Sequence, residues 1–409
     1  MQKDTRILEI DGFRGLCLLL VAYTHVQYVV DSTLGRINYN ALMWVDPAAG
    51  FVVISGFVVG LIGTRVALRH GMSGGFRFLG KRLRILTFWH VASVIFTVAM
   101  ISIAKEGADM GMLGARPVIA PLLAATFLLP QDYFNVLVMY FWFLCLAFPA
   151  LWICLRHSPS VLIALSVAAW CLTQNSTFAS IFDYEMEQLV AALFGGEWLR
   201  ASFSFYGWQL MFLVPFALGS MTQLGENPFG FLNTRTGKHL FYASAFFIGF
   251  MLLTRLALPL FTERGTTLWK LFQGPFDKRQ VAPAFLVGVL SYGMFFTWLL
   301  SCGQSQPSNV MRQSARWLSD ILTSRLLVLV GQASIQVFAT NTMFVFLVKS
   351  QVVVPLPEAV SFGILVASAM LAVGVAALTK GWRSSGWRLL APAWLGRGHG
   401  SRGFDLGRG

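Results

Sequence analysis

An aspartate, an arginine and a histidine recur at helical spacing in the first long apolar segment of the chain. Asp11 and Arg14 lie near its start, and His25 follows eleven residues after Arg14. Eleven residues complete about three helical turns and a rise of about 16 Å, so the three side chains share one face. An ionisable side chain inside an apolar span is costly and usually faces a cavity where it has a function. An imidazole titrates near neutral pH, which suits His25 to general-base or nucleophilic catalysis.

A structural interpretation of the same residues stays open beside the chemical one. In it, the charged pair sets the orientation of the segment and His25 is a satisfied core histidine. The shared face favours the chemical interpretation, with Asp11 holding Arg14 by a charge-assisted pair at one membrane surface. The imidazole would then lie deep in the membrane.

The composition indicates what kind of protein positions these residues. Of 409 residues, 56% are hydrophobic and only 12% are charged, whereas soluble domains carry about 25% charged residues. Repeated apolar windows near twenty residues predict an all-α polytopic membrane protein with about ten transmembrane helices and one short segment that is re-entrant or interfacial. The short segment is 117–130. The predicted spans lie near 12–31, 46–66, 85–104, 134–155, 159–175, 205–223, 239–259, 281–301, 326–348 and 359–379.

The basic residues predict the orientation. The net charge is +13, and with ten spans most cations fall on one side, which the positive-inside rule assigns to the cytoplasm together with both termini. We therefore expect a transmembrane domain over 1–379 and a basic Gly/Arg-rich cytoplasmic tail over 380–409. The expected partners of these cations are membrane lipids rather than nucleic acid. Loop 260–280 departs from the rule, because its four cations fall on the outer side.

Two further groups of residues have both a functional and a structural interpretation. Arg82 and Arg84, in a basic loop after the second span, would bind a phosphorylated ligand from the cytoplasm or serve only as a positive-inside cluster. Ser55 would line a polar cavity, whereas Gly56 and Gly60 beside it would allow close helix packing. The five cysteines form no CxxC pair, so no metal site or disulfide framework is expected.

Aromatic and amide side chains occur together in two later predicted spans, where they suit contact with a carbohydrate. Trp208 and Gln209 lie at the predicted outer end of a span, where they would form either an interfacial anchor or a platform for a sugar. Gln332, Gln336 and Asn341 place three amides in one predicted span. Their spacing is consistent with a polar path through the interior.

In this order, the motifs resemble the integral-membrane acyltransferase superfamily (acyltransferase-3-like), and within it the chain looks most like the OpgC family. The resemblance runs from residue 6 to about residue 345. The residues that carry it are Arg6, Glu9, Asp11, Gly12, Arg14, Gly15 and His25; Phe51, Val52 and Ile54-Ser55-Gly56-Phe57; Lys81, Arg82 and Ile85; Asn135-Val136-Leu137-Val138-Met139-Tyr140; Trp208-Gln209-Leu210 and Phe212; and Gly331-Gln332, Ser334-Ile335-Gln336-Val337-Phe338-Ala339.

The resemblance implies a membrane-embedded O-acyltransferase of the bacterial inner membrane. It implies an acyl-CoA donor, with succinyl-CoA expected, on the cytoplasmic side, and a periplasmic glucan or other carbohydrate acceptor on the other side. By position, the family's essential histidine falls on His25, and no metal is implied. The donor-side residues that it assigns are Asp11, Arg14, Arg82 and Arg84. The cavity or acceptor side would comprise Ser55, Tyr140, Trp208, Gln209, Gln336 and Asn341.

The sequence departs from the family pattern in two places. Relatives often carry an acidic residue just before the phenylalanine of the Ser-Gly-Phe motif, where this chain has Ala49 and Gly50, and Asp46 is the nearest acid. Asn341 stands where a histidine is common. Two alternative functions stay open from the residues: O-acetylation of another envelope polysaccharide or lipid-linked sugar, and proton-coupled transport of an anionic metabolite that uses His25.

Overall fold

The computed structural model describes residues 7–30, 32–33, 42–110, 113–114, 117–128, 132–175, 203–263 and 265–379. These residues form helices, turns and loops, and no strand occurs among them, which confirms the predicted all-α class. The predicted tail over 380–409 lies outside the described residues. The helices are α1 (Leu8–Val30), α2 (Pro47–Ser102), α3 (Ile119–Ala125), α4 (Asn135–Arg156), α5 (Pro159–Thr173), α6 (Phe205–Gln223), α7 (Arg235–Phe261), α8 (Thr267–Gln273), α9 (Pro283–Cys302), α10 (Asn309–Leu322), α11 (Arg325–Gln332), α12 (Ser334–Gln351) and α13 (Glu358–Thr379).

Six of these helices are long and apolar enough to cross a membrane, and a seventh candidate is the bent pair α11–α12. The long helix α2 has 56 residues and covers nearly all of both predicted spans, 46–66 and 85–104. Helix α5 is apolar but shorter. A membrane protein built of helices is therefore supported, whereas the count of about ten spans stays a prediction.

A break at one glycine divides α2 into two arms, 47–69 and 72–102. The backbone leaves the helical region at His70, and Gly71 has a φ of +73°, a left-handed conformation that costs glycine little because it has no Cβ. The helix restarts directly after this break. Arg82 and Arg84 therefore lie on the second arm of α2, and their predicted placement in a loop was wrong because the loop is reduced to two residues.

The short segment near 117–130 does not form a span in its described part. Its only regular element there is α3, which has seven residues and is about 10 Å long, far less than a bilayer core. His90 of the second α2 arm holds it, with Nε2 2.7 Å from the Ala124 carbonyl oxygen and the imidazole stacked on Phe127 at 4.2 Å. This geometry agrees with the non-spanning interpretation.

Glycines allow the central helices to pack with their backbones in contact. Gly12 of α1 lies against the Leu322 carbonyl, and Gly331 of α11 lies against the Asp11 carbonyl, so that α1 and α11 touch closely. Gly56 and Gly60 of α2 lie in the same way against the carbonyls of α6. The packing role predicted for Gly56 and Gly60 is therefore present, as small-residue interfaces in membranes generally require.

The α2–α6 contact can be tested by adding one methyl group. A Cβ at Gly60 would overlap the Phe216 backbone, while a Cβ at Gly249 of α7 would meet nothing within 4 Å. We expect Gly60→Ala to lower the free energy of unfolding by about 1–3 kcal/mol through overpacking. Gly249→Ala should leave it unchanged or raise it by up to about 1 kcal/mol, since alanine favours helix. Melting temperatures of the detergent-purified variants measure both effects. Equal melting temperatures would contradict the close contact.

Candidate functional site

His25 lies in an aromatic surround on α1. Its ring contacts Tyr133 edge-on at 4.9 Å and Phe338 edge-on at 6.0 Å between ring centroids. The Nδ1 atom is buried and forms no hydrogen bond with the described residues. Buried polar atoms without a partner are rare in native proteins and call for a specific explanation. The missing hydrogen bond at Nδ1 therefore argues against the interpretation of His25 as a satisfied core histidine.

The predicted charged residues of α1 are buried where α1 meets α11 and α12. Arg14 is 6% exposed and donates from a terminal nitrogen to Ser334 Oγ at 2.6 Å. Its guanidinium carbon lies 5.6 Å from the centroid of the Phe51 ring. Asp11 is 4% exposed, and its Oδ2 accepts from the Gln332 amide at 3.4 Å. Both charges are thus held by side chains from the far end of the sequence.

Two hydroxyl groups without partners lie in the same part of the bundle. Ser55 is 0% and Tyr140 is 2% exposed, and neither hydroxyl hydrogen-bonds to a described residue. The Tyr140 ring packs 6.1 Å from Phe51, so Phe51 contacts both Arg14 and Tyr140. A buried hydroxyl left without a partner costs about 1–3 kcal/mol. These groups are therefore suited to a polar ligand that enters the bundle.

An ion pair that sequence analysis missed lies at the start of α2. Asp46 Oδ1 accepts from the Ala48 backbone N–H at 2.8 Å, which caps the helix. Its Oδ2 accepts from Lys278 Nζ at 3.0 Å. Phe51 of α2 packs beside Arg14 of α1, and Gly50 packs beside Cys17, so this end of α2 lies towards the His25 half of α1. Asp46 and Lys278 are 232 residues apart, so no local pattern joins them; the one available signal was the excess of cations in loop 260–280.

Lys278 stays protonated at this position. Burial alone would lower the pKa of Lys278, but the nearby Asp46 carboxylate outweighs burial and raises the pKa above its ordinary value. Trp208 binds the backbone of Lys278, since the indole Nε1 of Trp208 donates to the Lys278 carbonyl at 2.7 Å. Trp208 is 0% exposed. It therefore positions Lys278 instead of presenting a face to a sugar.

The Gln209 side chain joins two helices. Its Oε1 accepts from Ser166 Oγ at 2.7 Å, and its Nε2 donates to the Ser166 carbonyl at 2.8 Å. Gln209 is 4% exposed. Both ends of the amide thus bind α5, which is the geometry of a structural bridge between α5 and α6.

The three amides predicted in one span are divided between two helices. The chain bends by 86° between α11 and α12, so Gln332 lies before the break and Gln336 and Asn341 lie after it. Asn341 is 5% exposed, and its Oδ1 accepts from Ser368 Oγ at 3.2 Å. Gln336 is half-buried. The bent pair α11–α12 is itself a candidate span, so the polar path through one span stays a prediction.

The basic residues of the second α2 arm are open to a ligand. The Arg82 guanidinium carbon lies 5.1 Å from the ring centroid of Phe78 on the same helix, and Arg84 is exposed. In the part of the chain that the structure describes, neither forms a hydrogen bond or an ion pair. Nor does that part contain a group of three or more His, Cys, Asp or Glu side chains that is placed to bind a metal ion.

Comparison with known proteins adds one finding. The family model described as OpgC protein matches residues 6–385. No curated protein and no solved structure matches the chain. The matched range contains α1, the ion pair at the start of α2 and every site residue described above.

The structural role of Gln209 can be measured in a double-mutant cycle with Ser166. We expect Gln209→Leu and Ser166→Ala each to lower the melting temperature of the purified protein, because each removes one side of a buried bridge. The effects should be non-additive, with a coupling free energy of about 0.6–2 kcal/mol, the range for polar pairs between membrane helices. Additive effects, or wild-type stability in Gln209→Leu, would show that the amide is free for another role.

Proposed function

We propose, because the chain belongs to the OpgC family, that it is a membrane-embedded acyltransferase that modifies a glucan hydroxyl at His25. The observation that carries the proposal is that His25 Nδ1, Ser55 Oγ and Tyr140 Oη are among the buried polar atoms that find no hydrogen-bond partner in the described residues. These three residues are ones that the sequence alone assigns to the site or its cavity. A bound substrate would supply the hydrogen-bond partners that these atoms lack.

The donor in this proposal is an acyl-CoA, with succinyl as the expected acyl group. Arg82 and Arg84 would receive its phosphates, since guanidinium groups bind phosphate oxygens in pairs. The acylated arm then passes Arg14 and Phe51 and reaches His25, a rise of about 16 Å along α1. Ser55 and Tyr140 offer hydroxyl groups to the polar atoms of this arm.

The acceptor in this proposal is a periplasmic glucan that approaches His25 from the other side of the inner membrane. The topology that fits has about ten spans and both termini in the cytoplasm, as the cation distribution predicts. Tyr133 and Phe338 flank the imidazole. Aromatic edges beside a catalytic group exclude water and leave space for a sugar hydroxyl at the ring nitrogen.

The transfer step has two balanced forms. In the first, His25 takes the proton of the glucan hydroxyl as its oxygen attacks the thioester carbonyl carbon; the C–S bond then breaks, and the thiolate of CoA receives the proton. In the second, a ring nitrogen attacks the thioester carbon, the C–S bond breaks, and the CoA thiolate takes the imidazole proton. The glucan hydroxyl oxygen then attacks the acyl carbon, the C–N bond breaks, and the imidazole regains a proton from the hydroxyl. Label from acyl-CoA that stays on the protein without glucan would distinguish the second form from the first.

The role of His25 is tested by replacing the native protein with His25→Ala or His25→Gln. We expect acyl groups to disappear from the envelope glucans, because no other described group takes the proton or the acyl group at this position. Mass spectrometry of the extracted glucans measures the loss, and immunoblotting checks that protein levels are unchanged. His239→Ala, at an exposed histidine of α7, is the matched control and should retain acylation. Full acylation in His25→Ala would refute the assignment.

The role of Arg14 is tested by steady-state kinetics in membranes. Arg14→Ala removes a charged donor from the proposed donor path, and a charge-assisted hydrogen bond contributes about 1.5–3 kcal/mol. We therefore expect the KM for acyl-CoA to rise about 10- to 100-fold, with little change in the KM for glucan. Arg14→Lys keeps the charge without the planar fork and should fall between. A rise confined to the KM for glucan would place Arg14 on the acceptor side instead.

A further inference from the structure

We propose that Lys278 is a specificity-determining residue that selects acyl groups ending in a carboxylate. The inference rests on the proposed function and deepens it. It assigns the discrimination between a dicarboxylic acyl group, such as succinyl, and an uncharged one, such as acetyl, to one ammonium group. In the sequence, this residue is only one of the cations in a loop that departs from the positive-inside rule.

The Lys278 ammonium has hydrogen-bonding capacity left for a ligand. Of its three N–H donors, one is used by Asp46 at 3.0 Å, and no second acceptor binds it among the described residues. Its side chain is 48% exposed, whereas that of Asp46 is 8% exposed. The cation thus faces open space while its partner is enclosed. An ammonium with free donors in such a position binds a carboxylate by charge-assisted hydrogen bonds.

Asp46 does not cancel this charge completely, because its own charge is shared. One carboxylate oxygen accepts from the Ala48 backbone N–H at the N-terminus of α2, where the helix presents a partial positive charge of about half a unit. The other oxygen accepts from Lys278. The Asp46 carboxylate is therefore only partly available to neutralise the Lys278 ammonium.

Two tryptophans fix the backbone around Lys278. The Trp208 indole donates to the Lys278 carbonyl at 2.7 Å, and the Trp170 indole donates to the Val281 carbonyl at 2.8 Å. The ammonium also lies 5.7 Å from the centroid of the Phe203 ring. A cation held in this way loses little entropy when it binds a ligand. This arrangement explains why Trp208 is buried beneath the loop.

The position of Lys278 relative to His25 suits the far end of an acyl group. Phe51 of α2 packs beside Arg14 of α1, and Gly50 packs beside Cys17, so the start of α2 lies towards the His25 half of α1. Asp46 caps this start of α2 and binds Lys278. With the thioester carbon at the imidazole, a short acyl chain that ends in a carboxylate would extend towards the ammonium. An acetyl group has no atom that could reach it.

Lys349 is a cation beside the Tyr133 ring, and its contacts differ from those of Lys278. Its ammonium lies 5.6 Å from the Tyr133 ring centroid and 3.6 Å from the Asp109 carboxylate. Its side chain is only 13% exposed. Lys349 is thus enclosed by an aromatic ring and an acid, whereas Lys278 is open.

The experiment is a competition between two donors in membranes that contain the full-length protein. Equal concentrations of succinyl-CoA and acetyl-CoA are supplied with a purified unmodified glucan, and mass spectrometry gives the ratio of succinyl to acetyl groups transferred. The wild type should favour succinyl at least about tenfold. Lys278→Met keeps the length of the side chain and should lower the ratio about tenfold, a change of about 1.4 kcal/mol. Lys278→Arg should retain most of the preference.

Asp46→Asn provides the opposite test. Asparagine caps a helix as well as aspartate does, and the substitution frees the Lys278 ammonium, so the ratio should stay at the wild-type value or rise. Lys270→Met, at an exposed cation of α8 in the same loop, is the matched control and should leave the ratio unchanged. A merely structural role for the ion pair would lower total transfer in Lys278→Met and in Asp46→Asn without shifting the ratio.

The outcomes separate this inference from the proposed function. Two outcomes would overturn the role of Lys278 and leave the acyltransferase intact, provided that transfer depends on His25. One is a ratio of succinyl to acetyl near one in the wild type, and the other is a ratio that does not change in Lys278→Met. No His25-dependent transfer from either donor overturns both. A tenfold fall in Lys278→Met, with Lys270→Met and Lys278→Arg near the wild type, supports the assignment.

Discussion

A charged side chain enclosed in an apolar helix bundle is the constraint on which the arrangement of this protein depends. Arg14 is 6% exposed, and an uncompensated charge in such a place is too costly to persist. The helix break between α11 and α12 places the Ser334 hydroxyl 2.6 Å from its guanidinium group, and Phe51 of α2 lies beside it. Glycines on α1 and α11 bring these helices close enough for the contact.

The buried polar groups fall into two kinds, and the difference between them points to function. Gln209 and Asn341 are satisfied by neighbouring helices, and they join the bundle together. The ring nitrogen of His25 and the hydroxyls of Ser55 and Tyr140 form no hydrogen bond with the described residues. An unsatisfied buried group lowers stability, and the proposed substrate would supply hydrogen-bond partners for these three atoms.

Sequence patterns predicted the first helix of the site well, because the spacing of residues within one helix determines which side chains share a face. The face shared by Asp11, Arg14 and His25 follows from helix geometry, and α1 extends over Leu8–Val30 without a break. The same reasoning was wrong about the basic loop around Arg82, and it did not predict the bend that divides the three amides between α11 and α12. In both places a local break, at Gly71 or before Ser334, determines where the helices start.

The sequence by itself determined the helical class, the apolar spans and the candidate histidine, because composition and spacing are properties of short segments. Only the tertiary structure decided which polar residues find hydrogen-bond partners and which have none among the described residues. From the sequence, Trp208 and Gln209 were interpreted as an interfacial anchor or a platform for a sugar. In the fold, Trp208 binds the Lys278 backbone and Gln209 joins α5 to α6. The pairing of Asp46 with Lys278 across 232 residues has no local signature. Its physical cause is the packing of the α8–α9 loop against the start of α2.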